Sequence, residues 1–234
     1  MRNLFFATIA VLLFSCEDTS YNPDSTGRPG ELVVVIENSY LEKESGAAIK
    51  EVFGRSQYGL PQDEPSFTVV TIPKAAFNKV LQRHRNVLVA DISPQNTSNV
   101  TVKNDAMANG QLYIQVSAPD DSTFARIIHK NRVILFDYFS EKELERLSLA
   151  ANKLSDKSMN KRLTEKHGII LKIPKVYNLI DEGENFSWYR YEVEKPSGGQ
   201  RHPISRNLLI YNNNYSSLDM LKLGYIMDTQ DSIT

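Results

Sequence analysis

The sequence predicts an α+β protein in two halves: an N-terminal β-α-β-α-β unit with a hairpin, a long connecting helix, and a strand-rich second half. Three observations predict it. Between Glu31 and Ile92, β-branched runs alternate with segments of helical apolar spacing, the pattern of a sheet covered by helices. Ser140 with Glu143 three residues on marks a helix start, because each side chain can satisfy the other's exposed backbone N–H. Past Gly168 the apolar residues fall into short runs separated by turn residues.

In chain order, Glu31 to Ile36 is a continuous apolar run suited to a strand buried on both faces. A helix is expected from Leu41 to Phe53, with Gly54 and Gly59 near its end. Strands follow at Phe67–Ile72 and Asn86–Ile92, with a helix opened by Pro73 between them and carrying Phe77, Val80 and Leu81. Val100–Lys103 and Leu112–Val116, with Asn109-Gly110 between them, read as a hairpin. A short helix at Thr123–Lys130 precedes an apolar run at Val133–Phe139. The helix from Ser140 runs to His167 and stops at Gly168. Strands are expected at Ile169–Ile173, Phe186–Glu194 and Asn207–Tyr211, with a turn at Pro196–Gly199 and a last helix from Ser217.

The first thirty residues carry an address. One early cation, Arg2, is followed by an apolar run from Leu4 to Phe14, well short of the roughly twenty residues a spanning helix needs. That is the pattern of a secretory signal. It ends Leu13-Phe14-Ser15-Cys16, which resembles a bacterial lipobox: Ser15 fits a cleavage pocket, and the Cys16 thiol would take the lipid. Cys16 is the single cysteine, so no internal disulfide is available to explain it. Residues 17–30 hold two prolines, two glycines and few apolar side chains, and are expected to form a flexible tether reaching roughly 50 Å. The expected divisions are a signal peptide (1–15), lipidated cysteine and tether (16–30), an α/β unit (31–139), the long helix (140–168) and a strand-rich second half (169–234).

The blocks Gly27–Ile36, Leu60–Phe67, His84–Leu88, Phe186–Arg190 and Arg206–Tyr211 together resemble an uncharacterised lipoprotein family of Bacteroidota, known only as a domain of unknown function. The resemblance implies an envelope address and no catalytic residues. Asp231–Thr234 looks like the opening of a further family segment, which implies a chain cut short at its C-terminus. Glu17 and Asp18 resemble the acidic signals that place such lipoproteins on the outer face of the outer membrane, and Asp24-Ser25-Thr26 resembles an O-glycosylation sequon of the same bacteria. The expected location is therefore the outer membrane, through the lipid, with the cell surface favoured over the periplasmic face.

Composition and motifs narrow the chemistry. The formal charge of −1, or −2 once Arg2 leaves with the signal, gives no basic face for a nucleic-acid partner. The four histidines have no zinc-ligand spacing, and neither a nucleophile elbow nor a phosphate-cradling glycine loop occurs, so no catalytic residue, metal or cofactor is assigned. Asp63 and Glu64 are adjacent carboxylates on a proline-bounded loop, the one candidate for an acid–base pair. Phe186-Ser-Trp-Tyr-Arg-Tyr191 places Phe186 and Trp188 on one face of a strand and Tyr189 and Tyr191 on the other. One set should pack on the core; the other could stack on a glycan or an envelope protein, which makes Trp188, Tyr189 and Tyr191 candidate ligand contacts. The expected function is a non-catalytic binding module of the cell envelope. A glycan or peptide hydrolase and a structural subunit of an outer-membrane assembly are the alternatives.

Overall fold

The computed structural model describes residues 22–60 and 62–233. The expected signal peptide, Cys16 and the first part of the tether lie outside the described residues. Packing divides the chain into two units: the described parts of Met1–Gln57 with Asp63–Phe139, and of Tyr58–Gln62 with Ser140–Thr234. The fold is α+β as the sequence predicts, with a five-stranded mixed sheet in the first unit and a three-stranded antiparallel sheet in the second.

The first unit is built around β1 (Glu31–Val35). It pairs in parallel with β2 (Thr68–Ile72) on one side and β3 (Asn86–Ile92) on the other. β5 (Leu112–Ala118) lies parallel to β3, and β4 (Asn99–Asn104) closes the hairpin antiparallel to β5. The resulting order is β2-β1-β3-β5-β4. Leu32, Val34 and Ile36 face a core supplied by α1 (Glu44–Phe53), α2 (Asp121–Lys130) and the first turns of α3 (Arg132–Leu154). Val33 and Val35 face the other side, against Val87, Val89 and the half-buried Ile72, Phe77 and Tyr113.

Two helix expectations change. Pro73–Arg85 forms two 3-10 turns, Lys74–Ala76 and Leu81–Arg83, rather than an α-helix. The Asn78 carboxamide oxygen accepts from the N–H groups of Val80 and Leu81, an alternative to helical bonding that asparagine favours. The capping box at Ser140 does not form either, because α3 starts at Arg132 and Ser140 lies inside it. The apolar run 133–139 is the first part of this helix. Leu135 and Phe139, one turn apart, are both fully buried, and Phe139 meets Phe53 edge-on at 5.7 Å. Burying such a side chain stabilises by about 1.5–3 kcal/mol, more than a capping box contributes.

The expected tether is also corrected in part, since residues 22–30 are docked. Ser25 N–H donates to Asn109 O at 3.0 Å, Thr26 N–H to Arg83 O at 2.9 Å, and Arg85 N–H to Thr26 O at 2.8 Å. Gly27, at φ +100°, crosses the face of His84 so closely that a β-carbon would overlap the ring. His84 is buried, with Nε2 3.3 Å from Glu31 Oε2. The Arg28 N–H and then His84 hold the Glu31 carboxyl below its ordinary value. The sequon residue Ser25 is half-buried rather than free on a tether.

In the second unit the expected single helix breaks at Ser155. Asp156 caps a new helix, α4 (Lys157–His167), accepting from the N–H groups of Ser158 and Met159. Gly168 ends it in the left-handed conformation, the predicted stop. Ile169–Ile173 is not a strand. The sheet is β6-β7-β8, with β6 (Asn178–Gly183), β7 (Phe186–Ser197) and β8 (Gln200–Tyr211) antiparallel. Gly198 and Gly199, at φ +60° and +80°, make the tight turn between the long strands. Pro196 is tolerated in β7 because β6 pairs only as far as Arg190, which leaves that edge open. Leu163, Ile173 and Tyr189 form the small core, and a last helix, α5 (Leu223–Ile233), follows.

Gly27→Ala tests the docking of residues 22–30. A side chain at positive φ costs about 1–2 kcal/mol, so amide exchange at Ser25, Thr26 and Arg85 should accelerate about tenfold or more while amides of β1 and β3 hold. Unchanged exchange would mean that the segment is held by something other than the Gly27–His84 contact.

Candidate functional site

In the first unit, α1 and the edge strand β2 border a groove of about 430 Å³. Gly46, Ile49 and Lys50 contribute from the helix, and Phe67, Val69 and Thr71 from the strand side. Its position follows from the backbone register. Thr68 N–H donates to Gly30 O, and Ile36 N–H donates to Ile72 O, so Thr68, Val70 and Ile72 present their backbone groups to β1. Alternation turns the N–H and C=O groups of Val69 and Thr71 outward. β2 has no second neighbour among the described residues, so these groups border the groove unpaired. Because β-residues alternate, the same two residues also put their side chains on the α1 face of the sheet.

The sequence-derived candidates do not converge on one site. Asp63 and Glu64 belong to the first unit and are exposed. The Glu64 carbonyl accepts from Gln57 N–H at 2.8 Å, which fixes the loop rather than preparing a carboxylate. Within the second unit, Tyr189 is fully buried with Leu163 and Ile173, so it is a core residue and not a stacking platform. Tyr191 shares that face of β7 and is half-buried, its ring 5.8 Å from that of Tyr177. Trp188 lies half-buried on the opposite face, where its indole N–H donates to Asn207 Oδ1 at 2.9 Å and the Arg190 guanidinium sits 5.4 Å from its ring. Of the three aromatics, Trp188 alone faces away from the core.

A polar chain that sequence spacing did not suggest runs through the second unit. His167 Nε2 lies 2.7 Å from Ser187 Oγ, and its Nδ1 lies 2.9 Å from Asn212 Oδ1. Serine, histidine and asparagine in this order imitate a nucleophile, its base and the group that orients the base. Burial argues against catalysis, since Ser187 has no exposed surface for an acyl group to approach. Its hydroxyl instead continues to Glu182 Oε1 at 3.3 Å. Glu182 is gripped by Arg162, Nε to Oε1 at 3.1 Å and Nη2 to Oε2 at 2.5 Å, with Lys166 Nζ 3.9 Å from Oε2. The network ties α4 to β6, β7 and the end of β8. Its members lie 20 and 45 residues apart in sequence, too far for any local signal.

Arg162, as hydrogen-bond donor and then as charge, holds the Glu182 carboxyl below its ordinary value of 4.5. A carboxyl depressed on folding adds stability above its unfolded pKa and loses it as pH falls through the folded value. Glu182→Gln should therefore flatten the loss of stability between about pH 5 and pH 3. Urea midpoints across that range check this. Parallel profiles for the two proteins would show that the pair contributes nothing, and added salt should shrink the difference.

Among the described residues, no three His, Cys, Asp or Glu side chains gather as metal ligands would. No curated protein and no solved structure matches the chain. Residues 156–234, from the Asp156 cap of α4 onward, match a second family model, Domain of unknown function (DUF4837). The junction between the two family matches falls at the break after α3, whereas packing changes units at Phe139, so residues 140–152 go with the first family match and with the second packed unit. The first match covers residues 25–152, more than half of the chain and including the docked segment from Ser25, and the chain belongs to the family described as Domain of unknown function (DUF8532).

Proposed function

We propose that this chain is a lipid-anchored, non-catalytic binding module of the cell envelope, and that it takes an extended peptide segment of an envelope protein along β2. The observation that carries the binding role is the unpaired Val69 and Thr71 backbone beside the groove against α1. An added strand would satisfy those N–H and C=O groups while its alternate side chains enter the groove. Backbone pairing favours a peptide over a glycan, which has no alternating donors and acceptors at strand spacing. The anchor rests on Leu13-Phe14-Ser15-Cys16, and outward display on the acidic Glu17-Asp18. No helix among the described residues is long and apolar enough to cross a membrane. The hydrolase alternative has no comparable support, because Asp63 and Glu64 are exposed and Ser187 is sealed.

Two experiments test this reading. Selection of displayed peptides on the purified protein should return extended, apolar-alternating sequences. Thr71→Pro, which removes only an outward N–H on an edge strand, should weaken the selected peptides about tenfold or more, given roughly 1–2 kcal/mol for a hydrogen bond and its neighbours. Thr71→Arg, at an exposed position, provides a second obstruction, and thermal melts confirm that both variants are folded. Peptides bound equally well by both variants would sink the β2 site. For the address, Cys16→Ala should move the protein from the membrane to the soluble fraction. Protease should release the folded part from intact cells bearing the wild type; protection until the outer membrane is broken would place it on the periplasmic face.

A further inference from the structure

Charge is distributed unevenly along the groove between α1 and β2. Ile49, Phe67 and Val69 give it an apolar lining, and Glu42 and Lys50 are the only charged side chains among the residues that border it. Both are exposed, and neither side chain has a hydrogen-bond or ion-pair partner among the described residues. Backbone contacts place them at opposite ends. Phe67 N–H donates to Phe53 O at 3.0 Å and Gly54 N–H to Lys50 O at 2.9 Å, so the start of β2 meets the last turn of α1 and its lysine. Ile36 N–H donates to Ile72 O at 2.9 Å, and the chain leaving Ile36 reaches Glu42 just before α1 begins, so the end of β2 meets the glutamate.

The spacing suits a strand. Glu42 and Lys50 are eight residues apart, which at helical rise is on the order of 12 Å. Four residues of extended peptide cover about 13 Å, and residues i, i+2 and i+4 share one face. A strand laid along β2 therefore sets side chain i beside one charge, i+2 over Ile49 and Val69, and i+4 beside the other charge. The α1 dipole opposes each charge with about half a unit, which lessens the polarity of the groove without reversing it.

We propose that the groove takes one class of peptide in one direction: a strand antiparallel to β2 that reads, from its N-terminus, basic, any, apolar, any, acidic. The basic side chain faces Glu42 and the acidic one faces Lys50. Antiparallel pairing is favoured because its hydrogen bonds run straight across, whereas those of a parallel pair are slanted and slightly weaker per residue. This inference rests on the β2 peptide site proposed above and adds to it the charge order and direction of the partner.

The test titrates the full chain with two end-blocked synthetic peptides, Thr-Thr-Lys-Thr-Val-Thr-Glu-Thr-Thr and the same peptide with its lysine and glutamate exchanged, and follows backbone amide shifts of β2. Composition and net charge are identical, so only charge order differs. The first peptide should bind about tenfold more tightly at low salt, because exchange turns two exposed attractions into repulsions. Salt of about 0.5 M should shrink the preference. The double variant Glu42→Lys with Lys50→Glu should reverse it, and its melt should match the wild type because both side chains are exposed and unpaired. Equal binding of the two peptides would overturn the charge order, while the β2 site itself stands or falls on whether Thr71→Pro weakens both. Binding of neither peptide would overturn both readings. Tighter binding of the exchanged peptide, or an unaltered preference in the double variant, would overturn the proposal as well.

Discussion

Burial of β1 on both faces is the constraint from which the first unit follows. Leu32, Val34 and Ile36 point one way, and Val33 and Val35 the other, and all are almost inaccessible. Such a strand must be flanked by strands on both edges and covered on both faces, or its apolar surface would meet water. The parallel partners β2 and β3 supply the edges. α1, α2 and the first turns of α3 cover one face, with Phe53, Phe124 and Phe139 filling the space. On the other face Val33, Val35, Val87 and Val89 pack with their in-sheet neighbours Ile72 and Tyr113 and with Phe77, which lies between the two 3-10 turns. The groove is a by-product of the same constraint: β2 protects β1, and among the described residues no strand pairs with its own outer edge.

The second unit is held differently. Its buried core is small, centred on Leu163, Ile173 and Tyr189. Polar clamps do much of the positioning there: Asp156 starts α4, Arg162 grips Glu182, and His167 joins Ser187 to Asn212. Charged and neutral hydrogen bonds of this kind define geometry more than they add stability. This arrangement explains how Tyr189 can be packed without its hydroxyl finding a hydrogen-bond partner among the described residues. The ring is required by the core, and the polar groups nearby are committed to one another.

Polar residues around the docked segment show how a sequence that reads as linker can become structure. Asn22 to Gly30 has almost no apolar surface to bury, and nothing in its composition argues for order. It is held instead by backbone pairing with Arg83, Arg85 and Asn109, and by a glycine that lets the chain cross a histidine ring. These partners lie 57 to 86 residues away in sequence, so no local window contains the interaction. The family match beginning at residue 25 is in keeping with this segment being part of the domain.

Sequence alone determined the features that depend on local chemistry. The β-branched runs located β1, β2, β3 and the β4–β5 hairpin, because burial on a pleated strand selects those residues at short range. The positive-φ stop at Gly168 and the two faces of β7 followed from backbone geometry that every chain obeys. Tertiary structure decided the rest. Whether Val133–Phe139 is strand or helix depended on a core waiting for Leu135 and Phe139 one turn apart, and that packing outweighed the capping box at Ser140. Which face of the aromatic strand is buried depended on α4 arriving beside Tyr189, so the choice between Trp188 and Tyr189 could not be read from alternation. β6 was missed because Asn178–Gly183 carries acidic residues and a glycine, and it becomes a strand only by pairing with β7. The groove at β2 and the His167–Ser187 contact both join residues distant in sequence. Distance along the chain carries no information about such contacts, and the fold that creates them has to be seen.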